Sequence, residues 1–423
     1  MRALTGICGA LVVLSLTASL SGSAAEGPLR PVFEVDRNWP KQMPNGYVFG
    51  PTGGVAVDSK GHVWVYSRPT QLRLTLMNPP NPTSGMPAPA VVELTADGTF
   101  VQGWGGVLAM SESERAKFDW PVQEHGIAVD DKGNVWVCGN GRDARTGRDD
   151  DQCLKFTRDG KFLMQIGRSG KSKGSLDKEN LGHPSRPVYW ARDNELFVSD
   201  GYVNRRVYVA DADTGKFKRM WGAFGNKPVD SDSCEVISYK TFTDPGPQQF
   251  SIVHAIRVAK DGMVYVADRE HRRVQSFTSD GKFVKQLAKT DQIFARDLAF
   301  SPDADQQFLY VGGGKGISVD EAKKRLEDGK TVFVDLRDVR ELERDGMIPG
   351  AFHAPRGMLE FWVDPQSPYY KPAFAEDKTW ILYCQADWRG TLAAATLADM
   401  GLTNVLHLEG GYGEWRKAGG PTG

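Results

Sequence analysis

A unit of four short apolar segments recurs along the first three quarters of this 423-residue chain, and it constrains the fold more than any other feature. In the first unit, an inner segment at 54–58 is followed by a turn and a second segment at 62–66. Four of the units then add an outer hairpin around an Asp-Gly or Thr-Gly turn. Four-stranded repeats separated by turn residues are typical of an all-β propeller.

The set of repeated units is not complete. Four are whole, whereas the fifth ends after its second segment, at 312–314. We therefore predict a propeller over residues 30–314 that has either five blades or an incomplete set of six, and residues 32–35 are a candidate outer strand for the last blade. Three arrangements agree with this count. The ring closes with five blades, it stays open and is plugged by the next domain, or a gene fusion truncated a six-bladed ancestor.

Beyond residue 315 the pattern changes to alternating helices and strands, which predicts an α/β domain with a parallel sheet over residues 316–420. A buried strand at 380–383 leads to Cys384, a tight loop closed by Arg389, and a helix at 391–400. A thiol at a helix N-terminus, beside a fixed cation, is stabilised as the thiolate. The loop therefore predicts sulfur chemistry or attack on an anionic substrate.

The C-terminal residues resemble the rhodanese family of sulfurtransferases. The motifs that carry the resemblance stand in order at 334–337, 341, 346–351, 384–389, 408–411 and 415. The resemblance implies that Cys384 holds a sulfane sulfur as a persulfide and that Arg389 binds the anionic substrate. It also implies that backbone amides of the loop stabilise the persulfide charge, as an oxyanion hole does. These substrate-binding positions are Gln385, Ala386, Asp387 and Trp388.

The same resemblance implies a small sulfur donor such as thiosulfate, a thiol or cyanide acceptor, and no required cofactor. Four residues separate Cys384 from Arg389, and cysteine phosphatases, which hold a larger phosphate, need a longer loop. We expect Asp335 and Arg337 to brace the sheet and the loop as an ion pair. The predicted function is therefore a rhodanese-type sulfurtransferase, with the propeller as a platform for substrate or a protein partner.

Two residues of the loop depart from the family. Family loops usually carry a small residue, often glycine, at the position of Asp387, and serine where this chain has Gly390. Glycine permits backbone angles that aspartate tolerates less well, and a carboxylate near the thiolate opposes its charge. An alternative is therefore a non-catalytic binding protein with a degenerate rhodanese domain.

The propeller segments at 125–130, 199–206, 250–254 and 266–270 resemble NHL-repeat propellers, in particular the lyase that cleaves peptidyl-α-hydroxyglycines. In that lyase, histidines from alternating blades of a six-bladed ring hold zinc in the channel. The resemblance places His125 and His254 at ligand positions, and Arg68 and Tyr202 at those of the catalytic arginine and tyrosine. The third ligand would come from a sixth unit, and two histidines make a weak zinc site. A metal-dependent lyase-like propeller is a further alternative.

Residues 1–25 have the charged start, apolar core and small residues of a signal peptide, which predicts a periplasmic or secreted protein. The 52 Lys+Arg balance 53 Asp+Glu, so no basic field indicates nucleic acid, and no later apolar run is long enough to span a membrane. Cys138 and Cys153 fall on neighbouring strands of one hairpin, and a disulfide there is compatible with that compartment. We expect the acidic stretch at 142–151 to be a solvated insertion rather than a calcium loop.

Overall fold

The structure is a computed structural model that describes residues 36, 38–71, 85–230, 245–289, 295–313, 316–402 and 404–423. The predicted signal peptide, the candidate strand at 32–35, Cys8 and Cys234 lie outside the described residues. The chain divides into compact units at 1–39 and 40–423, and the second contains both domains. No helix in the described part is long and apolar enough to cross a membrane.

Residues 52–289 form four antiparallel sheets, which are blades one to four of the propeller. In each blade the strands pair in chain order, from the innermost outward. Blade one comprises β2 (Thr52–Val57), β3 (Val63–Ser67), β5 (Val91–Leu94) and β6 (Phe100–Trp104). Blade two comprises β7 (Glu124–Val129), β8 (Val135–Gly139), β11 (Gln152–Phe156) and β12 (Phe162–Gly167). Blade three comprises β13 (Pro184–Trp190), β14 (Glu195–Asp200), β15 (Arg206–Asp211) and β16 (Phe217–Trp221), and blade four β17 (Val253–Val258), β18 (Val264–Asp268), β19 (Arg273–Phe277) and β20 (Phe283–Lys289).

Short elements connect the blades. Two small sheets each consist of two strands of two residues. They pair β1 (Tyr47–Val48) with β4 (Met86–Pro87), and β9 (Arg142–Asp143) with β10 (Arg148–Asp149). Helix α1 (Glu112–Arg115) begins at a capping box made by Ser111 and Glu114. Single turns of 3-10 helix occur at Pro44–Gly46, Pro69–Gln71, Ala191–Asp193 and Ala223–Gly225.

Adjacent blades bury apolar side chains against each other. One cluster joins Trp64 and Tyr66 of blade one to Val135 and Leu154 of blade two, and similar clusters join each later pair. The innermost strands approach so closely that a Cβ at Gly126 would lie 2.2 Å from the Ser185 carbonyl oxygen. These contacts continue from blade to blade, as a propeller requires.

Blade five has two strands, β21 (Asp297–Phe300) and β22 (Leu309–Gly312), among the described residues. The prediction that the fifth unit ends after its second strand is therefore confirmed. Asp297 ties this partial blade to its neighbours. Its carboxylate accepts hydrogen bonds from Arg186 of blade three at 2.8 Å and from Arg257 of blade four at 3.3 Å.

The remaining residues form a five-stranded parallel sheet with helices on both faces, as predicted. Its strand order is β23 (Gly316–Ile317), β27 (Val405–Leu408), β26 (Thr379–Tyr383), β24 (Thr331–Asp335) and β25 (Phe352–His353). The helices are α2 (Val319–Lys323), α3 (Val339–Asp345), α4 (Leu359–Val363), α5 (Trp388–Asp399) and α6 (Gly411–Lys417), with a 3-10 turn at Pro372–Ala375. Alternation along β26 sends Leu382 toward α5, and Ile381 and Tyr383 toward the opposite face.

Two sequence-based expectations concern blade two. Cys138 and Cys153 are directly opposite each other on β8 and β11 and form a disulfide, which the sequence had left open as one possibility. The prediction of a solvated acidic insertion is wrong for its last residues. Asp150 is buried because it accepts backbone hydrogen bonds from Val122, Gln123 and Gly141, at 2.6–3.0 Å.

Candidate functional site

Cys384 lies at the carboxyl end of β26 and is 2% exposed. Helix α6 holds the loop that follows it. The Tyr412 backbone N–H donates to the Cys384 carbonyl at 2.8 Å, and that of Gly413 donates to the Gln385 carbonyl at 2.9 Å. Gly411 has a φ of +62°, and a Cβ there would lie 2.3 Å from the Cys384 carbonyl oxygen. The loop therefore depends on a glycine beneath it.

Arg389 is the second residue of α5, and both terminal nitrogens of its guanidinium are bound. Its terminal nitrogens each donate to Glu341, at 2.8 Å in both cases. A capping box with Asp338 at the start of α3 fixes Glu341. The hydrogen bond to Glu341 raises the pKa of Arg389, and interaction with the Cys384 sulfur adds to this rise. Sequence reasoning named Glu341 in a motif but missed that it is the partner of Arg389.

Asp387, the departure from the family pattern, adopts the left-handed conformation that a glycine would favour, with φ at +71° and ψ at −25°. Its carboxylate is turned to β27, where it accepts from His407 Nδ1 at 2.6 Å. Thr391 Oγ1 is a second donor at 3.3 Å. The charge that was expected to oppose the thiolate is therefore paired with an imidazole.

The other predicted loop residues surround this pair. Gln385 is half-buried and accepts from Arg337 at 3.4 Å, whereas Ala386 is exposed. The backbone of Trp388 begins α5. Asp335 and Arg337 form a fully buried ion pair, with 2.7 Å between Nη2 and Oδ2, and Arg337 also stacks 3.9 Å above the Tyr412 ring. Their predicted bracing role is confirmed.

The propeller channel brings three of its predicted residues into contact. The Tyr202 hydroxyl lies 3.1 Å from His125 Nε2 and 3.0 Å from His254 Nε2. The Nδ1 atoms of both histidines bond to backbone carbonyls, those of Ser185 and Arg296. Carbonyls only accept, so both Nδ1 atoms carry protons, and in the neutral rings both Nε2 lone pairs face the hydroxyl.

Arginines set the charge of the channel. Burial, aided by Arg68, Arg186 and Arg269, lowers the pKa of His125 to about 3, and burial also lowers the pKa of His254 well below its usual value. Arg68 donates from Nε to the Glu124 carbonyl at 2.6 Å. Arg269, which the sequence analysis did not single out, donates to the Tyr202 hydroxyl at 3.3 Å.

A three-ligand metal site is not complete in this channel. Within the described ranges, one group of three His, Cys, Asp or Glu side chains lies close enough to share an ion, and it is Asp58, His62 and Glu93 on blade one. Trp64 already donates to Asp58, and Arg158 to Glu93, each at 3.1 Å. His125 and His254 have no such third ligand in the described part of the chain, so the residues do not fit a catalytic zinc site with three protein ligands.

The fold and the site define a multidomain protein in which an all-β propeller precedes an α/β domain with a cysteine loop. Residues 318–418 match the family model of the rhodanese-like domain. The chain is 26% identical over 305 residues to NHL repeat-containing protein 3 of Mus musculus, which covers 70% of this chain and 70% of that protein. It is 29% identical over 196 residues to peptidylglycine alpha-amidating monooxygenase of Rattus norvegicus, which covers 45% of this chain and 17% of that protein.

A solved structure of a protein of unknown function from Rhodopseudomonas palustris, described as a possible tyrosine phosphatase, is 53% identical. The match covers 26% of this chain and 85% of that chain, with a TM-score of 0.26. The chain therefore carries a rhodanese-like domain at 318–418, and its N-terminal region is related to NHL-repeat and amidating-lyase-like proteins. Both predicted resemblances are confirmed.

Proposed function

We propose that this protein is a rhodanese-type sulfurtransferase that carries sulfane sulfur on Cys384. The observation that supports this most directly is the Cys384 loop, in which the thiol lies beside Arg389 and α5 begins four residues after the cysteine. The nucleophilic form of a cysteine is the thiolate, and reactive cysteines occur beside positive side chains and at helix N-termini.

The reaction has two displacements. The Cys384 thiolate attacks the sulfane sulfur of thiosulfate, so a new S–S bond forms while the S–S bond of thiosulfate breaks and sulfite leaves with the electron pair. A thiol or cyanide then attacks the outer sulfur, and the Cys384 thiolate leaves. Backbone amides from Gln385 to Trp388 would stabilise the charge on the outer sulfur. Arg389 would neutralise the donor anion, although Glu341 competes for it.

We further propose that the protein acts in the periplasm or outside the cell, and that the propeller is a platform for substrate or a protein partner. The disulfide between Cys138 and Cys153 supports an oxidising compartment, because such bonds persist there and are rare in the cytosol. Fractionation of the native cells, with the mature N-terminus determined, would test this location.

The decisive experiment compares sulfur transfer from thiosulfate to cyanide by the wild type and by Cys384→Ala. Mass spectrometry of the wild type after thiosulfate exposure should show the mass of one added sulfur atom on the Cys384 peptide. Circular dichroism would establish that both proteins are folded. If the folded wild type neither transfers sulfur nor gains the adduct, the protein is instead the non-catalytic binding protein that the degenerate loop suggested.

A metal-dependent, amidating-lyase-like propeller is the second candidate, because the Nε2 atoms of His125 and His254 converge on one point, where the Tyr202 hydroxyl lies. This proposal requires a metal held by the two histidines with a ligand from outside the described set. Metal analysis of protein purified without chelators tests it, with the double variant His125→Ala and His254→Ala as the control. Equal, negligible zinc in both proteins would exclude it.

A further inference from the structure

The conformation of the Cys384 loop needs support that the loop itself does not supply. Asp387 is a non-glycine residue at a φ of +71°, where an L side chain is strained. Such backbone persists only when surrounding contacts hold it. The contacts here come from β27 and α5, through His407 Nδ1 at 2.6 Å and Thr391 Oγ1 at 3.3 Å.

The two departures from the family pattern compensate each other in space. A Cβ built on Gly390 would lie 3.3 Å from Asp387 Oδ1 and 3.2 Å from the Leu382 carbonyl oxygen. The Asp387 carboxylate therefore occupies the room that a serine side chain at 390 would need. A side chain at 390 would therefore crowd the Asp387 carboxylate, and glycine at 387 would remove that contact but not the one with the Leu382 carbonyl.

The same pair lies next to a contact with the propeller. His407 is fully buried on β27, and Glu409, two residues later, pairs with Arg272 in the turn between β18 and β19 of blade four. Burial raises the pKa of Glu409, while Arg272 and then His407 oppose the rise. Burial and Arg269 lower the pKa of Arg296, the residue before blade five, and Asp387 opposes that effect. The Cys384 loop therefore lies close enough to Arg296 for their charges to interact.

We propose that Asp387 and His407 are positioning residues that hold the Cys384 loop in its transfer-competent form, and that Glu409 and Arg272 anchor this pair to the propeller. The proposal rests on the sulfurtransferase function proposed above. It deepens that function, because it makes sulfur transfer dependent on docking of the rhodanese-like domain against blade four. Asp387 is then an adaptation of the loop and not a sign of lost activity.

A double-mutant cycle in the full-length protein tests the compensation. Gly390→Ser alone should lower the kcat for sulfur transfer about tenfold, because crowding at Asp387 shifts the loop amides by a few tenths of an ångström. Asp387→Gly with Gly390→Ser should return kcat to within about threefold of the wild type, because glycine adopts the positive φ at 387 without the support of His407 and no longer crowds position 390. Additive losses in the double variant would overturn the proposal, as would an unchanged Gly390→Ser.

A second measurement does not depend on turnover. The rate at which iodoacetamide alkylates Cys384, followed on its own peptide by mass spectrometry, reports how firmly the loop covers the 2% exposed thiol. Arg272→Gln and Glu409→Gln should each raise this rate about tenfold, if opening of the loop limits the reaction. The control is Glu360→Gln, which removes an ion pair with Arg356 inside the same domain.

The outcomes separate the two proposals. In one outcome, the wild type forms no persulfide and transfers no sulfur, but the Arg272 and Glu409 variants are alkylated faster than the wild type. This outcome would refute the proposed function and keep the positioning role. A wild type that transfers sulfur, with alkylation rates equal in all three variants, would refute the anchoring and keep the function.

Discussion

Glu124 should make the stability of the propeller fall as the pH rises toward neutrality. This residue precedes His125 on the innermost strand of blade two, is 2% exposed, and accepts from Trp120 Nε1 at 3.0 Å. Burial raises the pKa of its carboxyl from 4.5 to about 7, Asp150 adds to the rise, and Arg68 opposes it. In the unfolded chain the carboxyl ionises near its ordinary value, whereas in the folded chain it keeps its proton until about pH 7.

The sign follows from proton counts. Between the two pKa values the unfolded state binds fewer protons than the folded state, so stability is lost as the pH rises through this window and is constant above it. At 1.36 kcal/mol per pKa unit, the shift corresponds to about 3 kcal/mol. Glu124→Gln keeps the acceptor for Trp120 but cannot ionise. We expect the variant to match the wild type near pH 4 and to exceed its free energy of unfolding by about 3 kcal/mol at pH 8.

Urea denaturation of both proteins from pH 4 to pH 8, followed by tryptophan fluorescence, measures this difference. Glu93→Gln on blade one is the matched control. Burial would raise the pKa of Glu93, but hydrogen bonds from Arg158, His62 and Gln102 outweigh it and leave the pKa below its usual value. That variant should lose stability at neutral pH and recover toward the wild type as the pH falls. A Glu124→Gln difference that is the same at every pH would refute the reasoning.

Three further predictions concern the loop and the disulfide. Gly411→Ala should abolish sulfur transfer, because a Cβ 2.3 Å from the Cys384 carbonyl oxygen displaces the loop. The thermal transition of the propeller should not move. Calorimetry with parallel cyanide assays checks both results, and a fully active variant would contradict the packing. Glu341→Gln should lower the KM for thiosulfate up to about fivefold, because it frees the Arg389 charge from a partly exposed ion pair. Steady-state kinetics measures this change, and a raised KM would show instead that Glu341 orients Arg389 for substrate binding. Replacing both Cys138 and Cys153 by alanine should lower the free energy of unfolding by about 3 kcal/mol, because the unfolded chain gains entropy when the 15-residue loop is no longer closed. Reduction of the wild type should produce the same loss in urea denaturation, and an unchanged midpoint would refute the prediction.

Features with a local cause could be predicted from the sequence. The blades follow from the alternation of apolar residues and from turn residues at fixed positions, so the four whole units and the truncated fifth were both predicted. The loop cysteine and its arginine lie close together in the chain. Helix α5, by contrast, begins at Trp388, three residues before the predicted start, because the left-handed backbone of Asp387 already turns the chain into it.

Features that depend on distant partners could not be predicted. Asp387 and His407 are 20 residues apart and meet because β26 and β27 run parallel, with Leu382 opposite His407. The acidic run at 149–151 looks solvated in the sequence. Asp150 is nevertheless buried, since backbone N–H groups from two other segments surround it. Sequence periodicity carries no information about such contacts.

The charge of the channel bears on what the propeller binds. Asp297 accepts from Arg186 and Arg257, and Glu270 from Arg269, so two carboxylates face three guanidinium groups. Arg68 adds a further positive charge beside His125, whose pKa of about 3 keeps its ring neutral. A divalent cation entering this low-dielectric space would be repelled by the arginines, whereas an anion would balance them. The charge therefore supports the proposed platform role, with an anionic ligand, over the proposed metal-dependent lyase, and the sulfur oxyanions of the proposed reaction are anions of this kind.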